Sequence, residues 1–252
     1  SAIGEAQVAV LLDRLESRAG VGAHKVALRI PYRETIRRVA SAQGRHKKQT
    51  GGAGQYGDCW LRVEPNPDAG YEFVDEVVGG HIPRGFIPAI DKGVQETMRE
   101  GVLAGYPMID IKVAVYEGSY HPVDSNEMAF KTAARIGFQK AIDQAEPVLL
   151  EPMAHLKITV PDSYAGSVMG DVSASRGRVE GMNAGTGTAL GQTTIEATVP
   201  YAEVTDYATR LRSLSRGTGE YEVELSGYEQ VPHDIQAKLA AEYAERRAAG
   251  ER

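Results

Sequence analysis

The opening residues carry apolar side chains at helical spacing. In residues 4–19 these side chains recur three and four positions apart, which predicts a helix with one buried face and an end at Gly20. They are Val8, Leu11, Leu12 and Leu15. A short strand is expected next, at about 24–30. Because one helix and one strand cannot adequately bury each other's apolar faces, we expect residues 1–30 to be the later half of a truncated domain.

From Tyr32 onward the spacing of apolar side chains changes to the two-residue period of β-strands. Apolar and polar side chains alternate over 59–64, the sequence NPDAG at 66–70 is typical of a turn, and apolar side chains return over 71–77. This pattern predicts a hairpin between the two alternating segments.

Three more elements are expected before the next change of pattern. They are a helix that ends at Gly101, a strand of strict period two over 109–115, and a helix over about 125–141. The apolar positions that define the first two are Ile90, Val94 and Met98, then Ile109, Ile111, Val113 and Val115. Strand pairs with helices on one side indicate an α+β domain.

Residues 151–231 contain an internal repeat. Each copy has a strand that ends in proline (Pro161, Pro200), a helix, the tripeptide Ser-Arg-Gly (175–177, 215–217) and a second strand. Two consecutive β-α-β units of this kind fold most simply as a ferredoxin-like split β-α-β sandwich.

Composition places the chain among soluble globular proteins of one to three domains, with 252 residues, 42% hydrophobic and 25% charged. A single cysteine excludes an intrachain disulfide framework, and we expect a cytoplasmic monomer. No apolar run approaches the roughly 20 residues of a membrane span. The net charge of −6 argues against uniform coating of nucleic acid. The stretch between Arg29 and Gln49, however, contains seven cations and a single acid, Glu34.

Catalytic motifs are not found in the sequence. It has no phosphate loop of the form GxxxxGK[ST], no HExxH, no CxxC and no GxSxG, and its six histidines lack metal-ligand spacing. We therefore expect no catalytic residue, no metal and no cofactor in this chain. An enzyme that acts on a small molecule is the least favoured class, since no convergent acid, base or nucleophile can be named.

Two segments carry the features of an interaction site. RHKKQTGGAGQYG, residues 45–57, joins a basic run to four glycines; cations attract phosphate, and glycine permits close backbone approach. YEGSYHPVDSNEMAF, residues 116–130, places His121 on a loop, with Asp124 or Ser125 positioned to cap the following helix. On composition alone, a solvated hairpin and an incidental histidine explain the same residues.

Several long motifs resemble, in order and spacing, the elongation factor G family. The segments that resemble its fourth and fifth domains are QTGGAGQYG, VGGHIPRGFIPAIDKGVQETM, GYPMIDIKVAVYEGSYHPVDSNEMAF and EPMAHLKITVP. The segment that resembles the end of its third domain is GEAQVAVLLDRL followed by PYRETI. Nearly the whole chain is covered.

The resemblance implies four segments. Residues 1–30 would be the C-terminal half of the third domain, with a partial ferredoxin-like fold. Residues 31–150 would be a fourth domain that mimics tRNA and has an S5 domain 2-like fold. Residues 151–232 would be a ferredoxin-like fifth domain, and 233–252 a charged C-terminal helix and tail.

The resemblance also implies a role at the ribosome. Tip loops would enter the decoding centre and contact the tRNA–mRNA helix, and contacts with ribosomal proteins are compatible with it. The matching tip residues are Gly51, Gly52, Gly54, Gln55, Tyr56 and His121. Beside them, Arg45, Lys47 and Lys48 are expected to hold nearby phosphates. In the fifth domain Arg176, Arg178 and Arg216 are candidates for contact with large-subunit RNA of the factor-binding centre, and ordinary loop-end cations are an equal alternative. GTP and Mg²⁺ would belong to a GTPase domain of the parent protein.

Three functions stay open on the sequence. The first is the C-terminal ribosome-binding region of a translational GTPase that promotes tRNA–mRNA translocation. The second is a paralogue in ribosome recycling, rescue or protection, because Ala53 stands where family members often carry arginine and RHKKQTGGAGQ resembles a paralogous subgroup. The third is a free-standing RNA-binding module, which the expected half-domain at the start argues against.

Overall fold

A computed structural model describes residues 5–22, 29–49, 54–185 and 190–250, without the side chains of 5–9 and 11. The chain divides into two compact units. The larger unit comprises residues 32–150 and 230–252, and the smaller unit comprises residues 1–31 and 151–229.

Helices and strands alternate along the described residues. The helices are α1 (Glu5–Ala19), α2 (Ile87–Glu100), α3 (Glu127–Gln144), α4 (Asp162–Ala174), α5 (Tyr207–Leu214) and α6 (His233–Ala248). The strands are β1 (Arg33–Ile36), β2 (Ala40–Lys48), β3 (Gln55–Pro65), β4 (Glu72–Asp75), β5 (Ile111–Ser119), β6 (Pro147–Pro161), β7 (Arg178–Ala184), β8 (Gln192–Pro200) and β9 (Glu220–Gln230).

The larger unit is built on a four-stranded sheet in the order β2-β3-β5-β4. β2, β3 and β5 are successively antiparallel, whereas β4 runs parallel to β5. The predicted hairpin between 59–64 and 71–77 is therefore wrong, because β5 lies between those two segments. The hairpin that does form joins β2 to β3, which places the basic run and the start of β3 side by side.

One face of this sheet is covered by helices. Inward residues of β3 and β5 such as Leu61, Val63 and Val113 are fully buried and pack against α2 and α3, as their period-two spacing predicts. The approach of α3 is close: a β-carbon on Gly44 would overlap the carbonyl oxygen of Ala133. Glycine at this position lets the helix backbone lie directly on β2.

The ends of the two helices follow from local chemistry. α2 ends at Gly101, as predicted, with φ 75° and its N–H bonded to the Thr97 carbonyl. α3 begins after Asn126, whose side chain accepts a hydrogen bond of 2.9 Å from the Ala129 N–H. The predicted caps, Asp124 and Ser125, are wrong, because Asn126 takes that position. The Ser125 hydroxyl and the Asp124 carbonyl bond to Tyr56 of β3.

Glu34 in β1 is completely buried, with a carboxylate enclosed by backbone N–H groups. The donors, at 2.7–3.0 Å, are the N–H groups of Val102, Leu103, Ala104 and Tyr106. Four donors on two oxygens satisfy a charge that would otherwise be costly to bury. The one acid of the basic stretch is thus an internal anchor for the turn after α2.

The C-terminal helix belongs to the larger unit. Ile235 and Leu239 of α6 pack against a small core of Ala104, Leu149 and Val231. The Gln236 side-chain oxygen accepts a hydrogen bond of 2.9 Å from the Leu149 N–H. Despite its charged sequence, the helix therefore has a defined packing site.

The smaller unit has the strand order β9-β6-β8-β7, with α4 and α5 packed on one face. Read in chain order this is 4-1-3-2, the ferredoxin-like arrangement that the internal repeat predicts. Buried side chains of β6 and β8, including Leu156, Ile158 and Ile195, form its core with Val168 and Leu211 of the helices. The α+β fold class is confirmed in both units.

The first segment is only partly described. α1 ends at Ala19 and Gly20 has φ 64°, as the sequence predicts. Leu15, on the predicted apolar face of this helix, is 44% exposed. The strand expected at about 24–30 lies largely outside the described residues.

Candidate nucleic-acid interface

The two segments singled out in the sequence meet at one end of the larger unit. The Tyr56 N–H donates to the Asp124 carbonyl at 2.8 Å, and the Ser125 hydroxyl donates to the Tyr56 carbonyl at 2.9 Å. The same hydroxyl oxygen accepts from the His121 N–H at 2.9 Å. We call the residues brought together here, 45–48, 54–56 and 121–125, the tip.

Gly54 allows the two loops to approach. A β-carbon at this position would overlap the carboxylate of Asp124. A larger residue would have to displace this carboxylate, the end of a flexible side chain. The predicted tip glycines Gly51 and Gly52 lie outside the described residues.

The imidazole of His121 is half exposed and its tautomer is set by the backbone. Nδ1 accepts hydrogen bonds from the N–H groups of Val123 at 3.3 Å and Asp124 at 3.1 Å. The proton of the neutral ring is therefore on Nε2. Nδ1 also lies 3.4 Å from Asp124 Oδ2, but that pair would be ionic only in an imidazolium, which would lose both amide bonds.

Gln55 is held by a residue that sequence reasoning missed. Its side-chain oxygen lies 2.9 Å from His46 Nε2. Because an amide oxygen can only accept, Nε2 of His46 is the donor in this bond. The Gln55 side chain is thus held against β2.

Tyr56 is fixed at both ends of its side chain. Its hydroxyl is 2.7 Å from the Ser119 hydroxyl, which donates to Asp58, and Asp58 accepts a second hydrogen bond from Gln43. The Arg45 guanidinium lies 5.5 Å from the centre of the Tyr56 ring, within range of a cation–π interaction. The phenol group is thus used internally, while the ring supports a cation.

The cations of the tip are exposed. Arg45, Lys47 and Lys48 lie on β2, and the last two pair with Tyr56 and Gln55 of β3. Since side chains alternate along a strand, Arg45 and Lys47 share one face and Lys48 lies on the other. Positive charge therefore surrounds Gln55 and Tyr56 on both faces of the hairpin.

In the smaller unit the two Ser-Arg-Gly tripeptides form the same helix end. Arg176 and Arg216 have φ 57° and 51°, and the following glycines, Gly177 and Gly217, donate to carbonyls of the helices that precede them. This is the left-handed helix termination usually made by glycine. The internal repeat thus extends to backbone geometry.

The three arginines predicted to face large-subunit RNA have different environments. Arg176 makes a bidentate pair at 2.6 and 3.0 Å with Glu151, a carboxylate only 3% exposed. Arg178 is exposed but pairs with Glu229, and its hydrogen bonds lower the pKa of that carboxyl. Arg216 is exposed, and no described residue forms an ion pair with it. Of the three, Arg216 has the geometry most suited to an external anion.

Two other kinds of site are not found in the described part of the chain. There, no group of three histidine, cysteine or acidic side chains could hold a metal ion. No described helix is long and apolar enough to cross a membrane.

Comparison with known proteins decides the family. Residues 28–146 match the family model described as elongation factor G, domain IV, and residues 148–239 match the model described as the elongation factor G C-terminus. The chain belongs to the elongation factor G family. A crystal structure of a protein from Thermus thermophilus is similar, with 43% sequence identity, a TM-score of 0.83 and 96% of this chain covered. The chain spans only 36% of the length of that protein.

The tip and the three arginines of the smaller unit lie in different elongation factor G matches. All tip residues lie within the match to domain IV, and Arg176, Arg178 and Arg216 lie within the C-terminal match. Sequence reasoning identified Gln55 and His121 but missed His46 and Ser119, which hold Gln55 and Tyr56 in place. It named Ser125 as a helix cap, whereas Ser125 bonds to Tyr56 and His121. The alternation of β2 was a usable signal for His46, since it lies on the same strand face as the buried Gly44.

Proposed function

We propose that this chain is the ribosome-contacting region of a translational GTPase and that its tip promotes the movement of tRNA with mRNA. The observation that supports this most is the meeting of two distant loops at the tip, where Gln55 and His121 lie among exposed cations. The arrangement suits paired RNA, which proteins recognise by shape, phosphates and 2′-hydroxyls.

The electrostatics of the chain fit a local contact better than a general one. The net charge of −6 opposes binding over a wide surface, while Arg45, Lys47 and Lys48 concentrate positive charge at one end. Phosphates would be attracted to the tip alone. The hydrogen-bonded tip then acts as a steric stop that prevents the tRNA from moving back.

The remaining roles belong to other parts of the parent protein or to the smaller unit. GTP and Mg²⁺ would be bound by a GTPase domain of the parent, which supplies the switch. The C-terminal domain would rest on RNA of the large subunit through Arg216 and Arg178. We expect the parent to act in the cytoplasm as a monomer.

A second candidate is favoured by one residue of the tip loop. Ala53 stands where family members often carry arginine, and this substitution reduces the positive charge of the loop. A tip with less charge fits a paralogue that acts in ribosome recycling, rescue or protection.

The full-length parent protein tests both candidates. We expect ribosomes to stimulate its GTP hydrolysis by at least a hundredfold, on the order of what a completed phosphoryl-transfer site provides. The measurement is the rate of phosphate release with and without ribosomes. A rate that ribosomes do not change would contradict the proposal.

Complementation then separates the candidates. A strain depleted of its main translocase is expected to grow when it expresses the parent protein. Ribosome-dependent GTP hydrolysis without growth would favour the paralogue.

A further inference from the structure

The face of the four-stranded sheet opposite to α2 and α3 carries aromatic rings. Along β3 and β5 the side chains alternate, and Leu61 and Val113 point to the helices. Trp60, Arg62 and Tyr116 lie on the other, open face. An antiparallel sheet normally presents polar side chains on its solvated face. Trp60 and Tyr116 depart from this pattern, and both are only half-buried.

These three side chains, which we call the aromatic cluster, are in mutual contact through Tyr116. The Tyr116 ring centre lies 6.4 Å from that of Trp60 and 6.0 Å from the Arg62 guanidinium. The guanidinium is held by Glu64 at 2.6 Å and by Glu76 at 2.9 and 3.1 Å. Because two carboxylates balance its charge and fix its plane, Arg62 contributes a flat surface rather than a free charge.

Further cations lie beside the aromatic cluster. Arg45 and Lys47 of β2 are on the same face of the sheet, since they alternate with the buried Gly44. Arg45 lies opposite Asp58, which is the next residue on this face of β3 after Trp60. Both cations are exposed, and no described residue forms an ion pair with either. The aromatic cluster is thus neutral in itself and borders on positive charge.

Flat rings with cations beside them suit unpaired nucleotides. Bases stack on aromatic rings and on guanidinium planes, while neighbouring cations attract the phosphates. In a duplex the bases are already stacked on one another, so that their faces are not accessible to such a surface.

We infer that the aromatic cluster binds single-stranded RNA, with a base stacked on Trp60 and Tyr116 and a phosphate beside Arg45. Because every base has a flat π-face, this binding tolerates many sequences. The site goes beyond the proposed function, since its stacking side chains lie outside the tip and take unpaired nucleotides.

The single tryptophan of the chain permits a direct test. The chain is titrated with an unstructured RNA of about ten nucleotides, within the range of single-strand site sizes, while Trp60 fluorescence is followed. We expect saturable quenching, because a base stacked on the indole ring quenches its emission. The same sequence in a duplex is expected to bind at least about tenfold more weakly.

Variants are compared by the fluorescence anisotropy of a labelled single strand. Trp60→Leu and Tyr116→Leu are each expected to weaken binding about tenfold, as for one lost stacking interaction. Trp60→Phe keeps a ring and is expected to bind within about threefold of the parent chain, which separates loss of stacking from loss of the fold. Tyr228→Leu is the matched control, because Tyr228 is a 39% exposed tyrosine of the smaller unit.

Three results would overturn the inference. They are RNA binding that leaves Trp60 fluorescence unchanged, parent-like binding by Trp60→Leu, and quenching by RNA-free ribosomal proteins but not by RNA, which would assign the face to a protein partner. The variant Gln55→Ala/His121→Ala is expected to bind the single strand like the parent chain, and loss of binding there would assign the RNA to the tip instead. The proposed function fails separately, when ribosomes do not stimulate GTP hydrolysis by the parent protein.

Discussion

Glu34→Gln is expected to lower the free energy of unfolding of the larger unit by about 4 kcal/mol, the range for leaving buried partners of a charged group unsatisfied. The carboxylate accepts four backbone N–H groups from within 101–106. Glutamine keeps one acceptor oxygen and presents an NH₂ group to the other two donors. A buried contact between donors replaces two hydrogen bonds, and the turn that begins at Gly101 loses its anchor.

Urea unfolding followed by tryptophan fluorescence measures this effect. Trp60 is the only tryptophan of the chain and lies in the larger unit, so that its signal reports that unit. Glu72→Gln is the matched control, because Glu72 is an exposed carboxylate that pairs with Lys112 at 3.3 Å. We expect the control to change stability by less than about 0.5 kcal/mol. A loss below about 1 kcal/mol for Glu34→Gln would mean that the buried carboxylate does not anchor the turn.

The double variant Gln55→Ala/His121→Ala is expected to slow tRNA movement about a hundredfold, as for two independent hydrogen bonds of roughly tenfold each. GTP hydrolysis is expected to stay near the parent rate, since the tip has no part in phosphoryl transfer. Both side chains lie at the tip of the larger unit, where Gln55 is bonded to His46 and His121 to the backbone of its own loop.

A fluorescent mRNA that reports movement and a phosphate sensor measure the two rates side by side. The variant Gln144→Ala/His81→Ala removes the same two side-chain types from exposed positions elsewhere in the larger unit, and it is expected to behave like the parent. Equal loss of movement and of hydrolysis in the tip variant would argue against the assignment of the tip.

Periodicity predicted those elements whose burial is local. The end of α2 at Gly101 and the 4-1-3-2 sheet of the smaller unit follow from side-chain spacing and from an internal repeat, both of which are visible in one stretch of sequence. The pairing of each strand with its neighbours in the sheet was harder to predict from the sequence. NPDAG at 66–70 correctly indicates a change of direction, but a turn does not tell which strand lies alongside, and β5 inserts between the two segments.

The candidate site likewise has a part that the sequence predicted and a part that it did not. Glycines and cations marked the tip because their composition is unusual over a short range. The residues that hold it were missed, since His46 binds Gln55 across a hairpin whose register depends on the loop between the strands. Glu34 was counted only as the one acid of the basic stretch, because the donors that enclose it are contributed by a turn about 70 positions later.

A cleavage probe tethered to the tip tests the central claim most directly. Cys59 is fully buried, and burial raises the pKa of its thiol to about 12, so that it will not compete with a surface cysteine for labelling. Lys48→Cys, in a full-length protein without other reactive cysteines, can carry an iron chelate that cuts nearby RNA. Arg216→Cys in the C-terminal domain serves as the companion position.

With the factor bound to ribosomes, the account predicts that the probe at residue 48 cuts small-subunit RNA at the decoding centre and that the probe at residue 216 cuts large-subunit RNA. Cuts from residue 48 that fall only outside the decoding centre, while residue 216 still reports a bound factor, would contradict it.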